Sequence, residues 1–326
     1  MTIDIDVPWV EKYRPKTFDE IVSQNIAINN LKDFVSSGNM PHMIFTGPAG
    51  TGKTSTALII ARSLLKGDQY YRNFLELNAS DTVRMDYVRR VLKNFVNQNM
   101  VADENSLKLV ILDEADNIPS QVQQALRRII EKSSSQVKFI LLCNYINKII
   151  DPIISRCAVF RYVSLPKEII IDRLKYIIKQ EKLAIIPEKS EEFFNTLFFI
   201  SQGDLRRAIN LLQSSVALEL LKDLDINEIL KISGFLDKNS LENLIKSIKK
   251  KDFKQSINII NNIDNLDSRS FIRQISEVLP NLKIEEKKKI SLFSVLGEID
   301  YRISQGADER IQLQALIAEI IEKVEN

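Results

Sequence analysis

Three of the nine glycines in this 326-residue chain, Gly47, Gly50 and Gly52, fall within six positions. They lie in the octapeptide Gly47-Pro-Ala-Gly-Thr-Gly-Lys-Thr54, which fits the pattern G-x-x-x-x-G-K-[ST]. A chain that uses glycine so sparingly elsewhere (about 7% is ordinary) concentrates it where the backbone must do what side chains forbid. The octapeptide follows a short apolar run, His42-Met-Ile-Phe-Thr46, and opens a segment of helical periodicity from Thr54 to Leu65. Strand, glycine loop and helix in that order are the context of a phosphate loop. Backbone N–H groups curl around an anion only where no Cβ blocks the approach or where φ is positive, and the helix adds its positive end. Lys53 is expected to reach the β- and γ-phosphates of a nucleoside triphosphate, and the Thr54 hydroxyl to take a place on Mg²⁺.

A second apolar run, Leu109-Val-Ile-Leu112, ends in Asp113-Glu114. A buried strand ending in a carboxylate delivers it to the same sheet edge as the phosphate loop, where Asp113 can hold the hydration shell of Mg²⁺ and Glu114 can orient and polarise a water. An Asp-Glu pair by itself is more often a solvated strand end; the upstream phosphate loop is what changes its meaning. Phe139-Ile-Leu-Leu-Cys143 is a further buried strand, ending at Asn144, an amide suited either to a turn or to hydrogen bonding the γ-phosphate or the attacking water. With Phe74-Leu-Glu-Leu77 these runs alternate with helical segments from Met85 to Phe95 and from Gln121 to Ile130. The fold class expected is therefore α/β, a parallel sheet covered on both faces.

Two arginines could supply transition-state charge. Arg156 stands in Ser155-Arg-Cys157 beyond the Asp151-Pro152 turn, and Arg206 in Gly203-Asp-Leu-Arg-Arg-Ala-Ile-Asn210. Alone, each reads as a surface arginine; phosphoryl transfer needs such cations in cis or from a neighbour. The segment Pro8-Trp-Val-Glu-Lys-Tyr-Arg-Pro15 is compatible with a packed N-terminal strap or with a lining for a nucleobase. In the helix from Met85 to Phe95, Val88, Val91, Leu92 and Phe95 share a face and Arg89, Arg90 and Lys93 point largely away from it. That is a solvated basic face or a surface for nucleic-acid phosphates, and phosphate contacts would be sequence-independent and salt-sensitive.

Beyond about residue 160 the composition changes. Of nine prolines only Pro280 lies past Pro187, and apolar residues recur at i, i+3, i+4 with charged faces between them, as in Ile169 to Ile178, Leu205 to Leu212 and Ile311 to Ile321. The second half is expected to be helical, with a break at Ile232-Ser-Gly234. The lysine clusters Lys249 to Lys251 and Lys287 to Lys289 read as solvated helix ends. Two cysteines cannot build a disulfide framework, and the single histidine, His42, argues against a histidine-based metal site or a His-dependent triad; it reads as a packed residue before a strand. The first 15 residues show neither a basic n-region nor an apolar h-region, and no apolar run approaches the ~18 residues of a membrane span. A net charge of +2 gives no global attraction to nucleic acid, so such binding must come from a local patch.

The ordered set PWVEKYRP, GPAGTGKT, ELNASD, LVILDEAD, QQALRRIIEK, FILLCNY, KIIDPIISRC, GDLRRAIN and GADERIQLQALIAEII resembles the small subunits of replication factor C, the sliding-clamp loader within the AAA+ ATPases. The resemblance covers nearly the whole chain. It implies a P-loop AAA+ domain over residues 1–163, a helical lid over 164–230 and a helical collar for oligomerisation over 231–326. It implies that Val10 and Arg14 line the base side of bound ATP. Gly47, Pro48, Ala49, Gly50, Thr51, Gly52, Lys53, Thr54 and Ser55 would wrap its phosphates. Asp113 and Thr54 would serve Mg²⁺, Glu114 would activate water, Asn144 would be sensor 1 and Arg206 sensor 2. Arg156 would be an arginine finger reaching the neighbouring subunit's ATP, so an isolated chain would be a poor ATPase.

The partners implied are other small subunits, a large subunit, the ring-shaped clamp and primer-template DNA. Arg84, Arg89 and Lys148 are the candidate backbone contacts. The setting implied is intracellular, the cytoplasm of an archaeon or the nucleus of a eukaryote, with no membrane. The chain departs from the family at Ser80 to Asp86, where SDTVRMD replaces SDERGID, at Ala49, usually proline, and at Asp151, usually glutamate. Two other readings compete: an ATP-binding structural subunit with little hydrolysis, disfavoured by the intact Lys53, Asp113 and Glu114, and an AAA+ DNA motor such as a branch-migration helicase, disfavoured by the helical C-terminal pattern.

Overall fold

A computed structural model of the chain describes residues 7–79, 85–98, 107–133, 136–184, 186–221, 224–263 and 266–324, with the side chains of 85–89 outside that description. The chain divides into two compact units, Met1–Gln180 with Ser201–Asn210, and Glu181–Ile200 with Leu211–Asn326.

The first unit is built on a five-stranded parallel sheet. Its strands are β1 (His42–Thr46), β2 (Phe74–Asn78), β3 (Lys108–Asp113), β4 (Val137–Cys143) and β5 (Cys157–Arg161), in the order β2-β3-β4-β1-β5. The three interior strands carry the continuous apolar runs, because both their faces are covered. Within each run alternate residues serve different cores. Met43, Phe45, Leu109, Ile111, Ile140 and Leu142 join Ile59 and Ile60 of the helix Lys53–Leu64. Ile44, Val110, Leu112, Phe139 and Leu141 join Leu92 and Leu126 of the helices Met85–Asn97 and Ser120–Ser133. The registers Thr46↔Cys143 and Asn78↔Asp113 line up the carboxyl ends of the strands, so the segments that follow β1, β3 and β4 emerge at one edge.

β5 has no strand signature in the sequence. Cys157-Ala-Val-Phe-Arg161 sits at the sheet edge with a single buried residue, Phe160, and its short mixed run lacks the pattern of a two-face burial. His42 is the packed residue expected, buried at the start of β1 with Nδ1 accepting the Phe139 N–H at 3.2 Å.

The second unit is helical. Phe193 and Phe194 pack edge to face on the helix Pro187–Ser201, and Phe199 of that helix meets Phe235 with ring centroids 5.2 Å apart. The helices Lys238–Lys249, Phe253–Asn261, Ser268–Val278, Glu286–Ser304 and Glu309–Lys323 enclose a core that includes Leu244, Phe271, Leu292, Leu316 and Ile317. Four of these helices start with an aspartate whose carboxylate accepts a first-turn N–H: Asp237 from Ser240, Asp252 from Gln255, Asp267 from Ser270 and Asp308 from Ile311. Each such cap satisfies a donor the helix cannot and stabilises by about 1 kcal/mol. Buried Gln274 bonds both backbone groups of Leu236, at 2.8 Å each.

Lys249 to Lys251 form an exposed helix C-terminus, as expected. Lys287 to Lys289 also lie at a helix end, in the first turn of Glu286–Ser304, where Lys289 is tied to Pro280 O at 2.8 Å and to Glu286. Among the described residues no helix is long and apolar enough to cross a membrane.

Candidate nucleotide site

The loop after β1 has positive φ at all three of its glycines, 144° at Gly47, 68° at Gly50 and 98° at Gly52. Two of them are also places where nothing larger fits. A Cβ on Gly47 would stand 2.1 Å from the backbone oxygen of Tyr162, and one on Gly50 1.7 Å from Asp204 Oδ1. The loop is thus closely packed between the segment after β5 and the start of the helix Leu205–Ala217. The Leu205 N–H donates to Gly50 O at 3.3 Å, and Asp204 Oδ1 accepts the Arg207 N–H at 3.0 Å as that helix's cap.

Lys53, only 8% exposed, donates from Nζ to Gly47 O at 2.7 Å, Pro48 O at 2.8 Å and Asn144 Oδ1 at 3.0 Å. Burial holds its ammonium below the usual lysine range; Asp113 opposes that shift and Arg206 adds to it. Thr54 Oγ1 donates to Asp113 Oδ2 at 2.9 Å, while Asp113 Oδ1 accepts the Glu114 N–H at 2.8 Å. Glu114 sits in the left-handed region, φ 53°, which turns the chain sharply at the strand end, and its Oε2 accepts from Asn117 Nδ2 at 3.1 Å. Thr54 and Asp113 offer two hard oxygens side by side, and a site of one hydroxyl and one carboxylate suits Mg²⁺, which keeps waters and phosphate oxygens for its remaining positions.

These groups line one cleft of the first unit. Val10 and Arg14 border it together with Tyr13 and Pro15, and Ala49, Gly50, Thr51, Gly52, Lys53, Thr54 and Ser55 form the loop side. Asp113, Glu114, Asn144 and Arg206 border it as well. Gly47 and Pro48 stand behind the lining and contribute the carbonyls that hold Lys53.

Arg156 lies away from this cleft. It follows the short helix Asp151–Ile154, with Nη1 donating to Pro152 O at 2.6 Å and Nη2 2.7 Å from Glu131 Oε1. Lys148 is exposed, with Nζ 5.2 Å from the centre of the Tyr145 ring. Arg84 lies outside the described residues, as does the Arg89 side chain, although Arg89 belongs to the helix Met85–Asn97. On that helix Leu92 and Phe95 are buried and Arg90 is exposed, as the pattern required. Lys108 closes the helix C-terminus, donating to Phe95 O and Gln98 O at 2.6 Å each.

Several supporting residues have roles that only the fold reveals. Asp116, last of Leu112-Asp-Glu-Ala-Asp116, accepts the N–H groups of Asn144 at 3.2 Å and Tyr145 at 3.1 Å. Gln123, 2% exposed, donates to Ile118 O and Lys148 O and accepts from Ile150 N–H, all within 2.9 Å. Asp204, directly before a helical period, carries the sequence signal of an N-cap, whereas Asp116 and Gln123 lie in motifs that by themselves give them no role.

The chain is similar to known proteins over nearly its whole length. Residues 43–165 match the family described as ATPase family associated with various cellular activities, and residues 236–319 match the replication factor C C-terminal domain. The replication factor C small subunit 1 of Pyrobaculum islandicum is 41% identical over 318 residues, covering 96% of this chain and 93% of that protein. The replication factor C small subunit of Methanosarcina barkeri is 38% identical and covers 95% of each. That of Archaeoglobus fulgidus is 39% identical over 313 residues, 95% of this chain and 96% of that protein. Among solved structures, the Thermotoga maritima RuvB Holliday junction branch migration motor superposes with a TM-score of 0.53 at 20% identity, over 72% of this chain and 79% of that one, a likeness of fold alone. The parallel sheet order and these matches make the first unit an AAA+ ATPase fold.

Proposed function

The chain belongs to the family of replication factor C small subunits, and on that premise we propose that it is an ATP-dependent subunit of a sliding-clamp loader. In a ring with other small subunits and a large subunit it opens the clamp and places it on primer-template DNA, in the cytoplasm of an archaeal cell like those of its relatives. The observation that carries this reading is the arrangement of Lys53, held by Gly47 O, Pro48 O and Asn144 Oδ1, beside the Thr54–Asp113 pair in a single cleft.

ATP enters with its triphosphate along the loop 47–55 and its base toward Val10 and Arg14. Lys53 exchanges its carbonyl partners for phosphate oxygens, and Asn144 and Arg206 meet the γ-phosphate. Thr54 and Asp113 would hold Mg²⁺, which would supply positive charge against the negative charge that develops on the phosphates. Glu114 orients a water whose oxygen attacks the γ-phosphorus. The bond from that phosphorus to the bridging oxygen of ADP breaks, and the water's proton passes to the carboxylate or to phosphate. Arg156 acts on a neighbouring subunit's ATP, so turnover belongs to subunit interfaces. Lys148 and Arg89, with Arg84, follow the DNA backbone. We place the AAA+ domain at 1–163, the lid at 164–230 and the collar at 231–326.

The test is ATP hydrolysis and clamp loading by the assembled complex with clamp and primed DNA. Lys53→Ala is expected to abolish ATP binding by this subunit and to depress loading. Loading at the normal rate with that variant would show this subunit's ATP site to be dispensable and would favour a structural role.

A further inference from the structure

The base end of the cleft is formed by Val10, Tyr13, Arg14 and Pro15, residues of an N-terminal arm that has little structure of its own. Its helix, Trp9–Lys12, is four residues long, far below the length at which a helix holds itself. The arm therefore keeps its place only through what it packs on. Trp9 is 1% exposed, and its ring meets Tyr13 edge to face at 6.5 Å. Tyr13 in turn meets Tyr176 edge to face at 6.3 Å.

Arg173 touches both Tyr13 and Tyr176. Its Nη2 donates to the backbone oxygen of Tyr13 at 2.8 Å, and its guanidinium carbon stands 5.0 Å from the centre of the Tyr176 ring. Arg173 and Tyr176 are three residues apart on the helix Lys167–Gln180, which buries Ile170, Leu174, Ile177 and Ile178. Residues at that spacing are neighbours on a helix surface, so the ring can hold the planar cation while the cation grips the carbonyl. A charge-assisted hydrogen bond of this kind is among the stronger ones a half-buried side chain makes. It lands where the arm turns from its short helix toward Arg14 and Pro15.

On the nucleotide reading of this cleft, we infer that Arg173 is a positioning residue for the nucleoside end of the site. By fixing the Tyr13 turn it sets where Val10 and Arg14 stand and so how strongly the cleft prefers a nucleoside triphosphate to a bare triphosphate chain. Arg14 supplies a reason for such a preference: its Nη2 pairs with Glu11, while its Nε is buried with no hydrogen-bond partner among the described residues, a donor suited to an oxygen or ring nitrogen of the nucleoside. The phosphate side of the cleft has a separate scaffold, through Lys53, Asn144, Thr54 and Asp113. Loss of Arg173 thus acts on one end of the ligand only.

The test measures binding of Mg-ATP and of Mg-tripolyphosphate to the full-length chain, unmodified and as Arg173→Ala and Arg173→Lys. The alanine variant is expected to bind ATP about tenfold more weakly, as loss of one hydrogen bond to a charged group implies, with tripolyphosphate binding unchanged. The lysine variant keeps a donor for the Tyr13 carbonyl and recovers part of the loss. Equal weakening toward both ligands would mean a general structural role and would overturn the inference, as would an alanine variant with undiminished preference for ATP or a lysine variant no better than alanine. An unmodified chain that binds neither ligand overturns the nucleotide reading along with it; one that binds ATP, with Arg173→Ala indistinguishable from it, overturns this inference alone.

Discussion

Glu131 holds Arg156 in place: one carboxylate oxygen, Oε1, lies 2.7 Å from Arg156 Nη2 and 2.9 Å from Arg127 Nε. Arg127 first and Arg156 after it keep the Glu131 carboxyl below its usual range. The Pro152 carbonyl and the Ser155 hydroxyl hold the other side of the same guanidinium, at 2.6 and 3.2 Å. In the finger role proposed for it, Arg156 would gain from having its direction set beforehand. Arg156→Ala in the assembled complex is expected to lower ATP turnover on the order of a thousandfold, without changing ATP binding by the isolated chain. Glu131→Gln keeps the shape and removes the charge, and turnover is expected to fall roughly threefold to tenfold. Steady-state ATPase rates with clamp and primed DNA check both, and full activity in Glu131→Gln would remove the preset-finger account.

Asp116 governs Asn144 in a comparable way. Its carboxylate accepts two successive N–H groups, those of Asn144 and Tyr145, and so pins the backbone just after β4. Asn144 Oδ1 in turn accepts from Lys53. Asp116→Ala leaves both N–H groups to water and frees the amide to swing. The expected result is a loss of about tenfold or more in turnover, with Mg-ATP affinity reduced less than by Lys53→Ala. Separate measurement of nucleotide binding and of ATPase rate distinguishes this from loss of the phosphate site.

The glycines of the phosphate loop differ in what they forbid. Gly52→Ala would place a Cβ with only Ile21 nearby, at 3.9 Å, so its cost is backbone strain at φ 98°, about 1–2 kcal/mol. Gly47→Ala adds a collision at 2.1 Å with a backbone oxygen, that of Tyr162, which also closes β1 through the Tyr162 N–H to Thr46 O at 2.7 Å. The Gly47 variant is expected to be the less stable of the two by about 1–3 kcal/mol and to lose nucleotide binding. Urea unfolding with and without Mg-ATP measures both; equal stability would mean that the 162–165 segment yields at little cost.

The sheet interior and the phosphate loop were legible because their chemistry is local. Met43 to Phe45 and Val110 to Leu112 are apolar at every position since each faces one of two cores, and Gly47 to Thr54 carries the phosphate-loop pattern in consecutive residues. β5 was not legible, because an edge strand with one buried residue has no obligatory pattern. Nor were Glu131 and Arg173, whose partners stand 25 and 160 positions away, at Arg156 and Tyr13. Both are ordinary charged residues on helices, and only the fold gives them something to hold. Asp116 lay within a recognised motif, but its role depends on β4 bringing Asn144 alongside.

The only histidine in the sequence provides a pH dependence that can be isolated. Burial, reinforced by the charge of Lys138, lowers the His42 pKa from 6.5 to about 4. Its Nδ1 accepts the Phe139 N–H, so the ring is neutral, and Nε2 is buried with no partner among the described residues. Above pH 6.5 the folded and unfolded chains both carry a neutral His42, and it adds no pH dependence. As pH falls from 6.5 toward 4, the unfolded chain takes up a proton that the folded chain refuses. Stability is lost across that window and levels off below it. The shift corresponds to about 3 kcal/mol, and partial solvent screening reduces this to roughly 2. His42→Gln retains an acceptor for Phe139 but does not titrate. Between pH 7.5 and 4.5 the unmodified chain is therefore expected to lose roughly 1–2 kcal/mol more than the variant, read from urea unfolding at each pH. Carboxylates titrating in the same range affect both proteins alike and cancel in the difference. Parallel profiles would place the His42 pKa in the folded chain near its ordinary value and would mean that water reaches the ring.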